Sequence, residues 1–349
     1  MFQRLPLETQ TLYAELLEHL LGVQATRSIG LLPGTFTRKV VKGERYVYYQ
    51  ASLPGGKTRQ FYLGRSSTTL DRLAQRFEQD RATLAEDKGR TRRLVAQLRA
   101  GGATIADAPS ARVIAGLTEA GLFDAGSVLV GTHAFAVLGN LLGVRWATGS
   151  LRTQDVDVGA DERDIDVAVS DEPVDVPAVI ESLEMGFLPV PSLDPKNPAT
   201  SFKVRGQALR VDLLCPKRGT SDAPVFIPRW NAAAHPLEFL EYLLRGPEKG
   251  VLLGGDGTLV NVPSPARFAL HKLVVSQRRP AAFAAKARKD IAQAIEVLEV
   301  LLTDRPGDVP VALEAFEGQG ARHKKAMSKA LAALKKARPD IAKQVKPGR

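Results

Sequence analysis

One short segment decides the fold of this chain: Arg152-Thr153-Gln154-Asp155-Val156-Asp157-Val158. Its alternation of polar and apolar residues predicts a β-strand in which Asp155 and Asp157 project from the same face. Two carboxylates so close repel each other unless a cation lies between them. Mg²⁺ prefers oxygen ligands and is commonly held by one or two carboxylates together with substrate phosphates. The segment therefore predicts a site for Mg²⁺ or Mn²⁺, although a lone Asp-x-Asp pair is more often a solvated strand or turn.

Two other segments supply what such a site needs. Asp212 is the single acid in the apolar stretch Arg210-Val211-Asp212-Leu213-Leu214, which predicts a neighbouring strand and a third metal ligand. Upstream, the apolar run 128–130 leads into a predicted helix through Gly131-Thr132. Backbone N–H groups at a helix start can bind a triphosphate, and the Thr132 hydroxyl can donate to a phosphate oxygen. The alternative is an ordinary strand-to-helix turn capped by Thr132.

Together these segments resemble the nucleotidyltransferase superfamily, whose fold is DNA polymerase β-like. The resemblance covers about residues 125–300. The phrase at 152–157 is similar to the AbiEii-type branch, and Gly131-Thr132-His133-Ala134 is similar to bacterial nucleotidyltransferase-like proteins of uncertain substrate. The resemblance implies transfer of a nucleoside monophosphate from an NTP, such as ATP, to an acceptor hydroxyl. Asp155, Asp157 and Asp212 are then the catalytic, metal-binding carboxylates.

The resemblance also implies a set of nucleotide-binding residues. Lys272 lies in a segment, 265–273, that resembles the helical lobe that closes over the nucleotide, although a surface lysine is equally consistent with the sequence. The predicted nucleotide-binding residues are Gly131, Thr132, Arg152, Thr153, Lys272 and Arg210. A competing acidic pair, Asp164 and Asp166, has the same spacing as the first. We favour Asp155 and Asp157 because they follow Arg152-Thr153, as the resemblance expects. The sequence departs from the family pattern at Thr132, where Gly or Ser is usual, and in a longer loop around 143–150.

Charge divides the chain into two basic ends and an acidic centre. The formal net charge is +10, with basic residues concentrated in 1–105 and 320–349. Two aromatic runs, 45–50 and 59–63, flank a turn and predict a β-hairpin. Tyrosines that stack on bases, together with cations that bind phosphates, suit RNA, including tRNA. The predicted contacts are Arg45, Tyr48, Lys57, Arg59 and Tyr62. The alternative is a small sheet whose aromatic residues form its own core.

The remaining patterns predict an α+β fold in three parts. A basic N-terminal region, 1–105, holds a helix, the hairpin and further helices; a nucleotidyltransferase core with a mixed sheet follows at 106–262; and a C-terminal helical lobe with a basic tail occupies 263–349. Helices are expected at 174–185, 266–277, 281–303 and 321–345. The single cysteine, Cys215, and the absence of a secretory or membrane-spanning pattern predict a cytoplasmic protein.

Two other functions fit the same sequence. One is a catalytically silent nucleotidyltransferase fold that binds nucleic acid or a partner protein. The other is an active enzyme whose acceptor is a protein or a small, antibiotic-type molecule, as in a toxin or defence protein. Retention of all three carboxylates favours an active enzyme.

Overall fold

The computed structural model describes residues 2–25, 34–41, 43–52, 58–147, 154–161, 173–192 and 194–346. The strands within these ranges are β1 Gln3–Arg4, β2 Gly34–Val41, β3 Glu44–Ser52, β4 Thr58–Arg65, β5 Val128–Val130, β6 Val144–Arg145, β7 Asp155–Gly159, β8 Phe187–Pro189, β9 Ser201–Val204, β10 Arg210–Pro216, β11 Val225–Ile227, β12 Ala232–Leu237, β13 Glu248–Leu252 and β14 Thr258–Val262. The α-helices are α1 Leu7–Ala25, α2 Thr68–Ala100, α3 Ala108–Glu119, α4 Gly131–Leu141, α5 Val176–Ser182, α6 Leu240–Leu244, α7 Pro265–Ser276, α8 Ala284–Asp304, α9 Asp308–Glu317, α10 Ala321–Ala337 and α11 Pro339–Ala342.

A mixed sheet carries the predicted acidic strands side by side. β7 lies between β5, which is antiparallel to it, and β10, which is parallel. The other edge of β10 pairs with β9 in its first half, antiparallel, and with β12 in its second half, parallel. Val156, Val158, Val211 and Leu213 are fully buried. Because side chains alternate across a strand, this burial directs the intervening acids to the other face. The predicted α+β fold with a mixed sheet is confirmed.

The C-terminal region is helical, as predicted. α7 packs against α6, α8, α9 and α10. The predicted helices 266–277 and 281–303 correspond to α7 and α8, whereas α9 was not predicted. The segment 321–345 forms two helices, α10 and α11, because Arg338 at their junction leaves the helical conformation. Met327, Ala330 and Leu334 of α10 are fully buried, so the basic tail packs one face into the core.

Stacked aromatic side chains join α4 to α7. The ring of Phe135 stacks on Trp146 at 4.7 Å and on Phe268 at 5.9 Å between centroids. The Trp146 indole Nε1–H donates to the carbonyl oxygen of Phe135 at 2.6 Å. This packing fixes the helix that begins at Gly131 against the helix that carries Lys272.

One predicted helix is shorter than expected. The segment 174–185 contains α5 only at Val176–Ser182. Asp175 caps its start by accepting a hydrogen bond from the backbone N–H of Ala178. At its other end Glu184 and Gly186 adopt positive φ, which ends a right-handed helix. β13 and β14 form an antiparallel hairpin whose turn spans 254–257.

The chain divides into two compact units, residues 15–96 and residues 1–14 with 97–349. In the unit 15–96, β2, β3 and β4 form an antiparallel sheet, so the predicted hairpin is confirmed and gains a third strand. The ring of Phe77 on α2 packs edge-on against Phe36 and Tyr49 from one face of this sheet. The predicted borders at residues 105 and 262 stay a prediction. Among the described residues, no helix combines the length and the apolar character that crossing a membrane requires.

Candidate active site

The three predicted carboxylates come together at the edge of one cavity. In the parallel register of β7 and β10, Asp157 pairs with Asp212, and Asp155 pairs with Arg210. Asp155, Asp157 and Asp212 all line a cavity of about 500 Å³. Gly131 and Thr132, at the start of α4, line the same cavity. The structure thus gathers the residues that the sequence analysis grouped from three separate segments.

Asp157 has a strongly perturbed carboxyl group. Burial, with the neighbouring carboxylates of Asp212 and Asp155, raises the pKa of Asp157 to about 7, while Lys272 and Arg210 act in the opposite direction. Burial dominates because the desolvated group favours its neutral form, and the nearby negative charges add repulsion. The site therefore holds more negative charge than its surroundings neutralise, which is the condition that a bound cation relieves.

Asp212 already has partners within the sheet. Its Oδ1 accepts hydrogen bonds from Ser201 Oγ at 2.5 Å and from Arg210 Nε at 2.7 Å. Arg210 also donates from Nη2 to Ser201 Oγ at 2.9 Å. Arg210, predicted as a phosphate ligand, instead forms an ion pair with Asp212 and is not among the residues that line the cavity. Its guanidinium holds the third carboxylate in place.

The three carboxylates line one cavity but do not form a complete metal-binding group. Within the described residues, no three His, Cys, Asp or Glu side chains lie close enough together to hold a metal ion. Within the site, Oδ1 of Asp212 is already engaged by Arg210 and Ser201. To complete a three-carboxylate site, Asp212 has to share Oδ1 or present Oδ2 to the cation.

Gly131 is required by its surroundings. It adopts φ +67°, and a Cβ at this position would lie 2.1 Å from Oδ2 of Asp157. α4 begins at Gly131 after Val130, and no side chain caps it, so the alternative that Thr132 caps the helix is wrong. Thr132 instead accepts a hydrogen bond from Lys289 Nζ at 3.2 Å. The small residue keeps the start of the helix against the acidic strand.

Helices α7 and α8, with the segment that joins them, line the same cavity with cations. Lys272, Arg278, Arg279, Lys286 and Lys289 all border it. Lys272 Nζ donates to Oδ1 of Asp290 at 2.8 Å, and Arg279 Nε donates to Oδ2 at 2.6 Å. Asp290 is buried, yet these two cations outweigh burial and lower its pKa. Burial and Lys272 lower the pKa of Lys289. The alternative that Lys272 is a surface lysine is wrong, since its side chain is only 13% exposed and lines this cavity.

Sequence analysis identified only one of these cations as a site residue. The sequence of 286–290 is typical of a charged helix face. Its local pattern does not distinguish a solvent-exposed face from one that lines a cavity. The crowding of Lys286, Lys289 and Asp290 on one face of a helix beside the Lys272 helix was the available signal. Lys289 matters most, because it connects α8 to Thr132 at the start of α4.

Two of the predicted nucleic-acid contacts lie together on the three-stranded sheet. Tyr48 and Tyr62 are cross-strand partners whose rings are 5.5 Å apart, and Tyr46 lies 6.1 Å from Tyr62. Lys39 Nζ lies 5.0 Å from the Tyr48 ring. We call Tyr46, Tyr48 and Tyr62 with Lys39 the tyrosine face. The alternative, that the aromatic residues form the core of the sheet, holds for the opposite face, where Phe36 and Tyr49 pack on Phe77.

The other predicted contacts are placed differently or lie outside the described residues. Arg59 lies over the ring of Phe61, 5.0 Å from its centroid, and pairs in register with Ala51 rather than with a residue of the tyrosine face. Arg45 is exposed. Lys57, Arg152 and Thr153 lie outside the described residues, as do the competing acids Asp164 and Asp166.

One comparison with known proteins, the match to a family model, agrees with this geometry. A family model described as "Nucleotidyltransferase" matches residues 108–316, which is more than half of the chain. A crystal structure described as an antigenic nucleotidyltransferase-like protein from Paracoccidioides brasiliensis aligns at 17% identity with a TM-score of 0.38, covering 68% of this chain and 94% of that one. The search of curated proteins found no match. The matched range contains every described residue that lines the cavity.

Proposed function

The chain belongs to the nucleotidyltransferase family, and we propose from that premise that it transfers a nucleoside monophosphate from an NTP to an acceptor hydroxyl. One observation carries the proposal: a single cavity is lined by three carboxylates from β7 and β10 and by cations from α7 and α8. Acids suit the metal ions that accompany a nucleotide, and cations suit its phosphates. The AbiEii-type branch remains a prediction within this family.

Asp155, Asp157 and Asp212 would hold the divalent cation, Mg²⁺ or Mn²⁺. Their donor type fits, because carboxylate oxygens are the ligands that these hard cations prefer. The raised pKa of Asp157 supports the fit, since burial and the neighbouring carboxylates disfavour the charged form that a bound cation would favour. When bound, such a cation supplies charge neutralisation and favours the ionised form of the acceptor hydroxyl.

The triphosphate would lie among the cations of α7 and α8. Lys272 and Lys289 provide compact charges, and Thr132 provides a hydroxyl beside Lys289. The Asp290 carboxylate fixes Lys272 and Arg279 before any ligand arrives. Cations held in place in this way bind developing charge on the leaving group without first having to reorganise.

The proposed reaction is one displacement at phosphorus. The acceptor oxygen forms a bond to the α-phosphorus, and the bond from that phosphorus to the bridging oxygen of the β-phosphate breaks. Pyrophosphate leaves with the electron pair of that bond. The proton of the acceptor hydroxyl passes to the carboxylate group, for which Asp212 is the candidate, and then to water. The protein's part is to align these groups and to neutralise charge.

We further propose that the acceptor is RNA, with tRNA as one member of the class. The segment 34–65 carries seven Lys or Arg residues and one acid, Glu44. The tyrosine face presents Tyr62 at 60% exposure, and Lys39 lies beside Tyr48. Exposed aromatic rings with neighbouring cations bind single-stranded nucleic acid by stacking and by phosphate contact.

A labelling experiment tests the proposed function. The protein is incubated with each α-labelled NTP, Mg²⁺, total RNA and total protein, and the labelled product is identified. Label in RNA supports both proposals, whereas label in protein or in a small molecule keeps nucleotidyl transfer and removes the RNA acceptor. No label with any NTP, in wild-type protein that binds Mg²⁺–NTP, would make the silent binding fold the better interpretation. The variant D157N is the negative control.

A further inference from the structure

A second cavity lies next to the first and shares one of its carboxylates. It has a volume of about 950 Å³ and is lined by Arg99, Asp107, His133, Arg145, Gln154 and Asp155, among others. Its size is within the range of small-molecule sites. Asp155 lines both cavities. Thr132 and His133, successive residues of α4, also line different cavities, Thr132 the first and His133 the second.

We propose that this second cavity is the acceptor site, and that it takes a phosphate-bearing alcohol whose hydroxyl lies between His133 and Asp155. The inference rests on the proposed nucleotidyl transfer, in which the NTP occupies the first cavity. A hydroxyl in the second cavity reaches the reaction from the other side of Asp155. The bonds formed and broken are those of the displacement given above, with the NTP as co-substrate.

His133 is the first reason for this assignment. Its side chain is 4% exposed, and its Nε2 has no hydrogen-bond partner among the described residues. Leaving a buried polar atom without a partner is costly, so Nε2 of His133 calls for a partner from outside the chain, such as a water, an ion or a ligand. Burial also lowers the pKa of His133, so the ring stays neutral and can exchange a hydrogen bond with a hydroxyl.

Two arginines at the cavity give the chemical class of the acceptor. Arg99 and Arg145 are both exposed, and neither forms an ion pair with a described residue. Guanidinium groups bind phosphate through paired N–H donors. Among the described residues that line this cavity, the acid other than Asp155 is Asp107, whose Oδ1 accepts a hydrogen bond from the backbone N–H of Ser110 at the start of α3. Asp155 itself would share its charge with the metal.

Binding of two probes tests the assignment. The probes are a short single-stranded RNA that ends in a free 3′-hydroxyl, and ribose 5-phosphate, a small phosphorylated alcohol. Their affinities are measured for the full-length wild-type chain, for R99Q/R145Q, and for R205Q as a control on an exposed arginine outside both cavities. A non-hydrolysable Mg²⁺–NTP analogue is measured in parallel.

We expect R99Q/R145Q to bind the recognised probe about tenfold more weakly or worse, while the affinity for the NTP analogue changes by less than about twofold. The analogue should not displace the probe from wild type, because the two cavities are separate. RNA binding that R99Q/R145Q weakens identifies a polynucleotide acceptor, and ribose 5-phosphate binding that it weakens identifies a small one. RNA affinity that R99Q/R145Q leaves unchanged belongs to the tyrosine face. Three results would each overturn the assignment. One is unchanged probe affinity in R99Q/R145Q, and another is displacement of the probe by the analogue. The third is a wild-type chain that binds the analogue but neither probe.

The His133 variants separate this proposal from a purely structural role. H133F removes the ring nitrogens and keeps a buried ring of similar shape, and H133Q restores a hydrogen-bonding group. We expect H133F to lose acceptor turnover with NTP-analogue affinity unchanged, and H133Q to recover part of that turnover. Equal turnover in H133F and wild type would overturn the role of His133. Failure of the wild-type chain to bind the NTP analogue would instead overturn the proposed function. That conclusion holds whether or not a probe binds in the second cavity.

Discussion

Gly131 and Asp157 are so close that a Cβ on the glycine would lie 2.1 Å from the carboxylate Oδ2 of the aspartate. Gly131 also adopts φ +67°, which L side chains rarely adopt. The same residue thus meets two constraints, one in its own backbone and one from the neighbouring strand. The carboxylate can therefore approach the start of α4 only if residue 131 has no side chain.

We expect G131A to lose activity and stability together. The methyl group must displace the Asp157 carboxylate, and the positive φ adds a cost of roughly 1–2 kcal/mol. G186A is the matched control, because Gly186 has φ +75° and nothing within 4 Å of an added Cβ. In denaturant unfolding, the free energy of unfolding should fall more in G131A than in G186A. The difference between the two losses is the cost of the clash with Asp157. Equal loss in the two variants would mean that Asp157 moves aside without cost.

Neutralising either acid of β7 should abolish transfer without unfolding the protein. D155N and D157N each remove a charge from a crowded group, so their metal-free stability should equal or exceed that of wild type. E119Q, at an exposed acid outside both cavities, is the control. D164N and D166N should keep most activity. If those two variants stop turnover while D155N does not, the choice of acidic pair is wrong.

The pKa of Asp157 predicts how stability depends on pH. The folded, metal-free protein keeps a proton on Asp157 up to about pH 7, whereas the unfolded chain loses it near the ordinary value of 3.8. Between these values the folded state binds more protons, so this group makes stability fall as pH rises. D157N should remove that part of the slope. We expect D157N to gain stability relative to wild type from about pH 4 to about pH 7, measured by denaturant unfolding. A constant difference across this range would contradict the shift.

The ion pair of Arg210 with Asp212 gives a prediction about metal binding. Arg210 Nε donates to Asp212 Oδ1 at 2.7 Å, so the guanidinium and a cation compete for that oxygen. R210Q should therefore bind Mg²⁺ more tightly than wild type, with R205Q unchanged, as measured by calorimetry. The sequence analysis instead assigned Arg210 to a phosphate. Weaker binding of the NTP analogue with unchanged Mg²⁺ affinity would favour that earlier interpretation.

The carboxylates of the site could be predicted from the sequence, whereas most of the cations that line the first cavity could not. Asp157 and Asp212 stand in apolar strands whose period of two is visible locally, so their shared face follows from the pattern. Lys289 reaches the site only because α8 packs beside α7 and the lysine side chain then contacts Thr132 of α4, and long-range packing of this kind is not visible in a local sequence pattern. The basic tail is different, because a helix was predicted there and α10 buries one face of that helix. Its buried Met327 and Leu334 make deletion of 320–349 a change to the core, so that truncation does not test RNA binding.

The tyrosine face gives a cleaner test of RNA binding. Y48A/Y62A should weaken binding of single-stranded RNA by roughly 1–3 kcal/mol for each base that stacks there. Y49F is the matched control, because Tyr49 packs against Phe77 on the opposite face. Affinity measured at about 50 and about 200 mM salt should fall with a log–log slope of about −0.7 per phosphate contacted. K39Q should reduce that slope, whereas Y48A/Y62A should leave it unchanged, because tyrosines contact bases and Lys39 contacts phosphate. Equal RNA affinity for Y48A/Y62A and Y49F would remove the tyrosine face from recognition and leave a protein or small-molecule acceptor as the better hypothesis.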